Sequence, residues 1–479
     1  NWDVDFNGEF PQSASFSSFS FVNTSTQSVE FTTSQPFAES LDSFGNKLLT
    51  FELDSSKQTQ RVSINALINA GSENGFDEVN ENLAPYLEQS SYAPITSQIS
   101  AKAREIVGEE QNPLRKAALL SSWVHNNVVY DLAYQDQILT SQEVFEIRRG
   151  VCNEFAHLLL AMLRSEGVPS RFAAGFVFSG EIWAAHAWVE VGINGKWYPF
   201  DPTYNEGILL DSTHLKFANG IDQANVTEQF SARGAVDLSK VALVRSHNVT
   251  LRYNGNFSKQ PVLELFVTNR TVQGNSIQNV TLSIRSTYSD VVAYPVSLEV
   301  PAEVKILSQK THLLMFFPGE KKFVSWSVLM PLDLREGYIY TYPIVARSLG
   351  AKIQRDLQAQ QGEAKEIPLL KVTEVRLQSQ ILIVSLQNTG NTAFTNVSAT
   401  VQLPFYTSTK TLLLLAPGAS TSLEFQITTL NLSKAVQGNI TLQAFNFTAN
   451  QPFFLEPSVT RDPPRPAFSI GASKSLMQI

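Results

Sequence analysis

The chain has 479 residues and a single cysteine. One thiol can form neither an internal disulfide nor a cysteine-based zinc cage. Charge is scarce as well. Asp, Glu, Lys and Arg make up 17% of the residues, against roughly 25% in ordinary soluble domains, so Ser, Thr, Asn and Gln supply the polar surface. The 36 basic and 44 acidic residues leave a net charge of −8. No Lys/Arg cluster or basic stripe offers a nucleic-acid footprint. No apolar run approaches the roughly 20 residues of a membrane helix. The first residues show no basic segment followed by an apolar one, so the chain reads either as cytosolic or as a mature exported protein whose signal has been removed. No glycines fall at the spacing of a phosphate loop, and the six histidines show no metal-ligand spacing. Neither cofactor nor metal is therefore expected.

What is present favours export. Asn-x-Ser/Thr occurs at Asn23, Asn225, Asn248, Asn256, Asn269, Asn279, Asn396, Asn431, Asn439 and Asn446. Nine of these ten follow residue 224, in a region holding 14 asparagines, where chance alone gives about three. All ten are candidate N-glycosylation sites, and the location expected is extracellular or at the cell surface. The length suggests three to four domains, and a hydrophobic content of 43% argues for folded domains over disorder.

The fold class expected is α+β multidomain. Residues 1–82 read as an N-terminal β-sandwich-like region, because Leu49, Phe51 and Leu53 alternate, as do Val62 and Ile64. Ser72 to Asn82 reads as a solvated acidic loop. Residues 83–238 form an α+β unit. Ile95, Ile99, Ala103 and Ile106 recur at a helical period, Asn112-Pro113 starts a second helix, and Thr140 with Glu143 forms a capping box. Phe155, Leu158, Leu159, Met162 and Leu163 line one helical face that Gly167 and Pro169 close. Strands follow at Arg171 to Phe178, His186 to Val191 and Lys196 to Asp201, the last two joined by the hairpin signal Asn194-Gly195. Residues 239–353 and 366–456 read as two β-sandwiches of immunoglobulin type. The Asn279 strand is matched to the Asn396 strand, the Pro318-Gly319 turn to the Pro417-Gly418 turn, and Gln354 to Glu366 is taken as a polar connector. Residues 457–479 form a Pro-rich tail, which raises the expectation that the gene product continues into an anchor or partner.

Cys152 stands at the start of the Phe155–Leu163 helix, where free backbone N–H groups and the helix dipole stabilise a thiolate. A buried structural cysteine is the plain alternative. His186 opens one strand of the hairpin and Asp201 closes the other, which brings an imidazole and a carboxylate together near that thiol. The segments Gly150-Val-Cys-Asn-Glu-Phe-Ala, Leu163 to Arg171, His186-Ala-Trp-Val-Glu-Val, Trp197 and Asp201-Pro-Thr resemble the transglutaminase-like superfamily of papain-like cysteine enzymes, in its prokaryotic secreted or surface form. Thr213-His-Leu-Lys-Phe-Ala-Asn-Gly is similar to the tail of its prokaryotic members. The resemblance is clearest over residues 112–225.

The resemblance implies a papain-like core with Cys152 as nucleophile, His186 as base and acid, and Asp201 as orienting carboxylate. The implied reaction is acyl transfer from a protein amide through a thioester, to water in a peptidase or amidase or to an amine in a cross-linker. Hydrolysis is favoured. The alternatives are a transglutaminase cross-linker and a surface-assembly or adhesion component with a dormant core. The partners expected are a protein or peptide substrate and other cell-surface proteins. The Cys152 N–H is one oxyanion donor, and Trp123, Tyr130 and Trp183 are weighed for the second, each more naturally a packing aromatic. His125, His214, His247 and His312 have no carboxylate partner at ligand spacing, and His157 points away from Cys152.

Overall fold

The computed structural model describes residues 1–455 apart from 72–74, 251, 253–259, 269, 363, 379, 428–435 and 445–446. The Pro-rich tail and the sequons at Asn256, Asn269, Asn431 and Asn446 lie outside the described residues.

The N-terminal strands alternate as their sequence demands, with Leu49, Phe51 and Leu53 of Lys47–Leu53 turned inward. They do not form a unit by themselves. Trp2–Asp5 is hydrogen-bonded to Thr59–Val62 on one side and to Ala242–Arg245 on the other. Ser13–Phe19 lies between Lys47–Leu53 and Gln229–Arg233. One core holds Trp2, Phe6, Phe16 and Phe51 together with Phe230 and Val241. The expected boundaries at 82/83 and 238/239 are thus corrected, because segments after the α+β core return to complete the N-terminal sheets. Local alternation reports that a strand exists and is silent about its partner.

Four helices, Ser97–Val107, Pro113–Asn127, Ser141–Ile147 and Cys152–Ser165, pack on a five-stranded antiparallel sheet. Its order is Glu206–Gly207, Lys196–Asp201, Trp183–Ile193, Ser170–Phe178, Leu215–Gly220. The helix starts are chemically marked. The Asn112 side chain accepts hydrogen bonds from the N–H groups of Leu114 and Arg115, and Thr140 with Glu143 forms a complete capping box. Asn194 and Gly195 take φ of 51° and 77°, the left-handed pair that a two-residue hairpin needs. The Cys152–Ser165 helix is buried around its whole circumference, including Glu154, His157 and Arg164. A single apolar face understates it, because other helices and the sheet enclose it on all sides.

Two β-rich units follow, each with two sheets around one core. The first has Val262–Phe266, Ile277–Arg285 and Lys321–Leu329 side by side, with Lys305–Ile306 at the edge, facing Ala351–Gln360, Ile339–Ser348, Val292–Glu299 and Thr311–Phe316. The second repeats that order with Leu370–Gln378, Ile381–Asn388 and Ser420–Gln426 facing Phe447–Leu455, Val436–Ala444, Phe394–Leu403 and Tyr406–Leu415. The Pro-Gly turns occupy equivalent places, with Gly319 and Gly418 at φ of 70° and 74°. The Asn279 strand is equivalent to Ile381–Asn388, and the Asn396 strand to Val292–Glu299, so the repeat is displaced by one strand from the match expected. The polar connector is corrected too. Ala351–Gln360 is a strand paired with Ile339–Ser348, polar because only Leu357 and Ala359 of it are fully buried.

The last unit is tied to the core beside the Cys152 loop. Arg148 lies between the rings of Trp123 and Phe145, 4.5 and 4.1 Å from their centroids. Its guanidinium donates to Glu374 of Leu370–Gln378.

Candidate active site

Cys152 is the first residue of its helix and is buried. The approach to it is held by Glu154, whose carboxylate accepts from Val151 N–H at 2.9 Å and Leu139 N–H at 3.2 Å. Burial pushes the Glu154 carboxyl up, and those backbone donors oppose the shift. Gly150 is required by close packing, because a Cβ there would collide with the Glu154 side chain.

Across the cleft, His186 stands on Trp183–Ile193 and Asp201 ends Lys196–Asp201. The hairpin register pairs Val189 with Phe200, which brings His186 Nε2 within 2.6 Å of Asp201 Oδ2. Cys152 lies close enough to the same ring to act on its charge. With Nε2 engaged by Asp201, Nδ1 is the nitrogen left for sulfur. Burial alone would lower the His186 imidazole, but the Asp201 carboxylate and Cys152 prevail and push it up to about 9. Asp201 is fully buried, which would raise its carboxyl, yet His186 and His214 hold it well below the usual carboxylate range. Its Oδ1 accepts from the N–H groups of Thr203 and Tyr204 at 2.7 and 3.2 Å. Of the three expected residues, His186 and Asp201 are thus in direct contact, and Cys152 is near enough to act on the His186 charge.

One expectation fails. His214 does have carboxylate partners, with Nε2 3.0 Å from Asp201 Oδ2 and Nδ1 3.3 Å from Asp211 Oδ1. The loop that leads to His214 starts at Glu206–Gly207 on one edge of the sheet and ends at Leu215–Gly220 on the other. It has to cross the sheet, and this brings the imidazole to Asp201. Thr213-His-Leu-Lys was visible as a landmark, but sequence spacing carries no trace of the crossing. Burial would lower the His214 imidazole, and Asp201, Asp211 and Glu206 push it up to about 10. Burial likewise pushes the Glu206 carboxyl up to about 7.

The donor atoms of His186, Asp201 and His214 lie within 4.8 Å of one another, as do those of Glu206, Asp211 and His214. Hydrogen bonds among the members account for that compactness, and we place no cation there. His125 Nδ1 donates toward the carbonyls of Pro202 and Thr203 at 3.1 and 3.2 Å, which braces the turn after Asp201. His157 Nδ1 donates to the Leu139 carbonyl, and its ring stacks on Tyr92. His247 meets the Trp183 carbonyl, and the His312 ring packs near Trp326.

Of the three aromatics weighed as oxyanion donors, Trp123 is covered by Arg148 and Trp183 packs on Phe178. Tyr130 is exposed over 49% of its surface, and its ring centroid lies 6.1 Å from that of Phe155 on the Cys152 helix. Partial burial, then the charge of Cys152, pushes its phenol far above the usual range, so the hydroxyl remains a donor. Tyr204, which sequence reasoning missed, has its ring centroid 5.4 Å from that of His186. Among the described sequons, Asn23, Asn248, Asn279 and Asn396 are exposed, whereas Asn225 and Asn439 are half-buried. Asn225 Oδ1 also accepts from the Ile221 and Asp222 N–H groups.

The helix that starts at Cys152 packs on the sheet whose hairpin carries His186 and Asp201. Residues 100–202 match the transglutaminase-like superfamily, and this segment is a transglutaminase-like core. An uncharacterized protein of Mycobacterium leprae is 26% identical over 177 residues, covering 35% of this chain and 60% of that protein. Kyphoscoliosis peptidase of Mus musculus is 25% identical over 142 residues, covering 27% of this chain and 21% of the peptidase. In both cases the chain spans less than two thirds of the relative's length. Red sea bream transglutaminase, a solved structure, aligns over 94% of this chain and 93% of its own at 9% identity and a TM-score of 0.20.

Proposed function

We propose that the protein is an exported cysteine enzyme that cleaves or transfers protein amide bonds, with Cys152 as nucleophile, His186 as general base and acid, and Asp201 as its orienting partner. The observation that carries this reading is the 2.6 Å contact between His186 and a fully buried Asp201, with Cys152 at the start of its helix close enough to act on the His186 charge.

In this mechanism His186 takes the thiol proton through Nδ1, and the Cys152 sulfur attacks the carboxamide carbon. The oxyanion is held by the Cys152 backbone N–H and the Tyr130 hydroxyl. His186 returns the proton to the leaving amine, and a thioester remains. Water then releases the acid, with His186 again as base. Asp201 holds the ring in one tautomer and stabilises the imidazolium without taking the proton itself. Protein or peptide amides are the substrates, hydrolysis is the favoured outcome, and cross-linking to a primary amine is the second. The proximity of Cys152 to His186 weighs against a dormant scaffold. The two β-rich units serve as immunoglobulin-like surface modules, and glycans on the exposed sequons accompany an extracellular or cell-surface location.

The test is incubation of dimethylcasein with the protein and a labelled primary amine, following label incorporation, ammonia release and new amino termini. New amino termini or ammonia without label support hydrolysis, and label supports cross-linking. Absence of all three across casein and a denatured-protein panel contradicts the enzyme reading.

A further inference from the structure

The Asp201 carboxylate is shared. Its Oδ2 meets His186 Nε2 at 2.6 Å and His214 Nε2 at 3.0 Å, while Oδ1 takes two backbone N–H groups. Four donors saturate the lone pairs of one carboxylate. On its other side, His214 Nδ1 lies 3.3 Å from both the Asp211 Oδ1 and the Asp211 carbonyl oxygen, which also only accepts. Both nitrogens of His214 therefore face carboxylate oxygens, which only accept, so the ring has to donate at both and be an imidazolium. His214 is held in place by rings: its centroid lies 5.6 Å from His186 and 5.5 Å from Trp188, both edge-on.

We propose that His214 is a positioning residue in a five-group relay, Cys152–His186–Asp201–His214–Asp211, in which it holds the Asp201 carboxylate ionised and aimed at His186. This rests on the reading of Cys152 as nucleophile. With the thiolate formed, charge alternates along the relay as minus, plus, minus, plus, minus. A lone buried Asp201 would bind the His186 imidazolium so tightly that the ring would return its proton reluctantly to a leaving amine. A second cation on the same oxygen divides that attraction and keeps His186 exchangeable. The other titratable groups around His214 are Glu206, whose carboxylate accepts from the Asp211 N–H at 3.0 Å, and Tyr204, with ring centroids 6.3 Å apart. Lys216, Glu190 and Asp77 line the same small cavity as His214, with Lys216 paired to Glu190 at 2.7 Å and to Asp77 at 3.5 Å.

The single cysteine makes the test clean, because every thiol reaction reports Cys152. The rate of alkylation by iodoacetamide is measured against pH for the intact wild-type chain, His214→Gln and Asp211→Asn, with folding checked by circular dichroism. Glutamine keeps a donor for Asp201 and removes the cation. The thiolate then forms at higher pH, and His186 keeps its proton to higher pH. Both limbs of the curve should move up by about one pH unit in His214→Gln and by less in Asp211→Asn. Amide turnover at neutral pH should fall about tenfold in kcat with KM unchanged, a split that a purely structural role does not produce. If His214→Gln fails to fold, Asp211→Asn decides. A displaced wild-type curve that neither folded variant moves overturns the relay alone. A wild-type curve identical to that of Cys152 in urea overturns the proposed function and the relay with it.

Discussion

His186 and Asp201 meet at 2.6 Å across 15 residues of sequence, and the carboxylate that completes the pair has no exposed surface at all. The hairpin supplies the proximity, and the turn after Asp201 supplies the fixed orientation through the N–H groups of Thr203 and Tyr204.

Removing that carboxylate charge should affect rate and stability together. Asp201→Asn presents the wrong tautomer to His186, and amide turnover should fall by about a thousandfold or more. The imidazoles of His186 and His214 are raised to about 9 and about 10. Their contribution to stability is fully present below the ordinary histidine value of about 6.5 and is lost as pH rises through 9 and 10. The wild-type melting temperature should therefore fall between pH 6.5 and 10. In Asp201→Asn that decline should flatten, which differential scanning fluorimetry across the range would reveal.

Acid acts through a different histidine. Burial holds His157 down at about 4, and its Nε2 has no hydrogen-bond partner among the described residues. Stability from this neutral ring is present above about pH 6.5 and is lost as pH falls toward 4. His157→Phe keeps the stack against Tyr92 and should weaken the acid dependence of unfolding by urea between pH 6.5 and 4, at some cost in stability at pH 7 from the orphaned Leu139 carbonyl.

The start of the Cys152 helix should tolerate no added bulk. Gly150→Ala drives a methyl into Glu154, the residue that ties Val151 and Leu139 to the helix. Unfolding free energy should drop by about 1–3 kcal/mol, with a larger proportional loss in the rate of Cys152 alkylation. Wild-type stability and alkylation in this variant would contradict the role given to Glu154.

Arg148 couples the last β unit to the Cys152 loop through Glu374, Trp123 and Phe145. Arg148→Ala strands a half-buried carboxylate and should cost about 2–3 kcal/mol. Limited proteolysis should then cut between residues 361 and 369 sooner than in wild type.

Much of this arrangement is legible in the sequence. Asn112, the Thr140–Glu143 capping box and Asn194-Gly195 announce their elements through local chemistry, and the structure places them as read. His186 and Asp201 are legible as a pair because one tight hairpin joins them, and Cys152 is legible as the start of its helix. His214 is not, since a loop crossing the sheet carries it to Asp201. The return of Gln229–Arg233 and Ala242–Arg245 to the N-terminal sheets is hidden for the same reason. The Ala351–Gln360 strand is hidden by its composition, because a strand with one wet face and few inward residues looks like a linker.

The central claim is that Cys152 forms a thioester with the help of His186. It is tested by reacting the protein with p-nitrophenyl acetate, quenching in acid and locating the acetyl group by mass spectrometry. Acetylation at Cys152 is expected, released by hydroxylamine, absent in Cys152→Ala and slowed by about tenfold or more in His186→Gln. Acetyl groups on lysines alone, or a Cys152 reaction that proceeds at the same rate without His186, would contradict it.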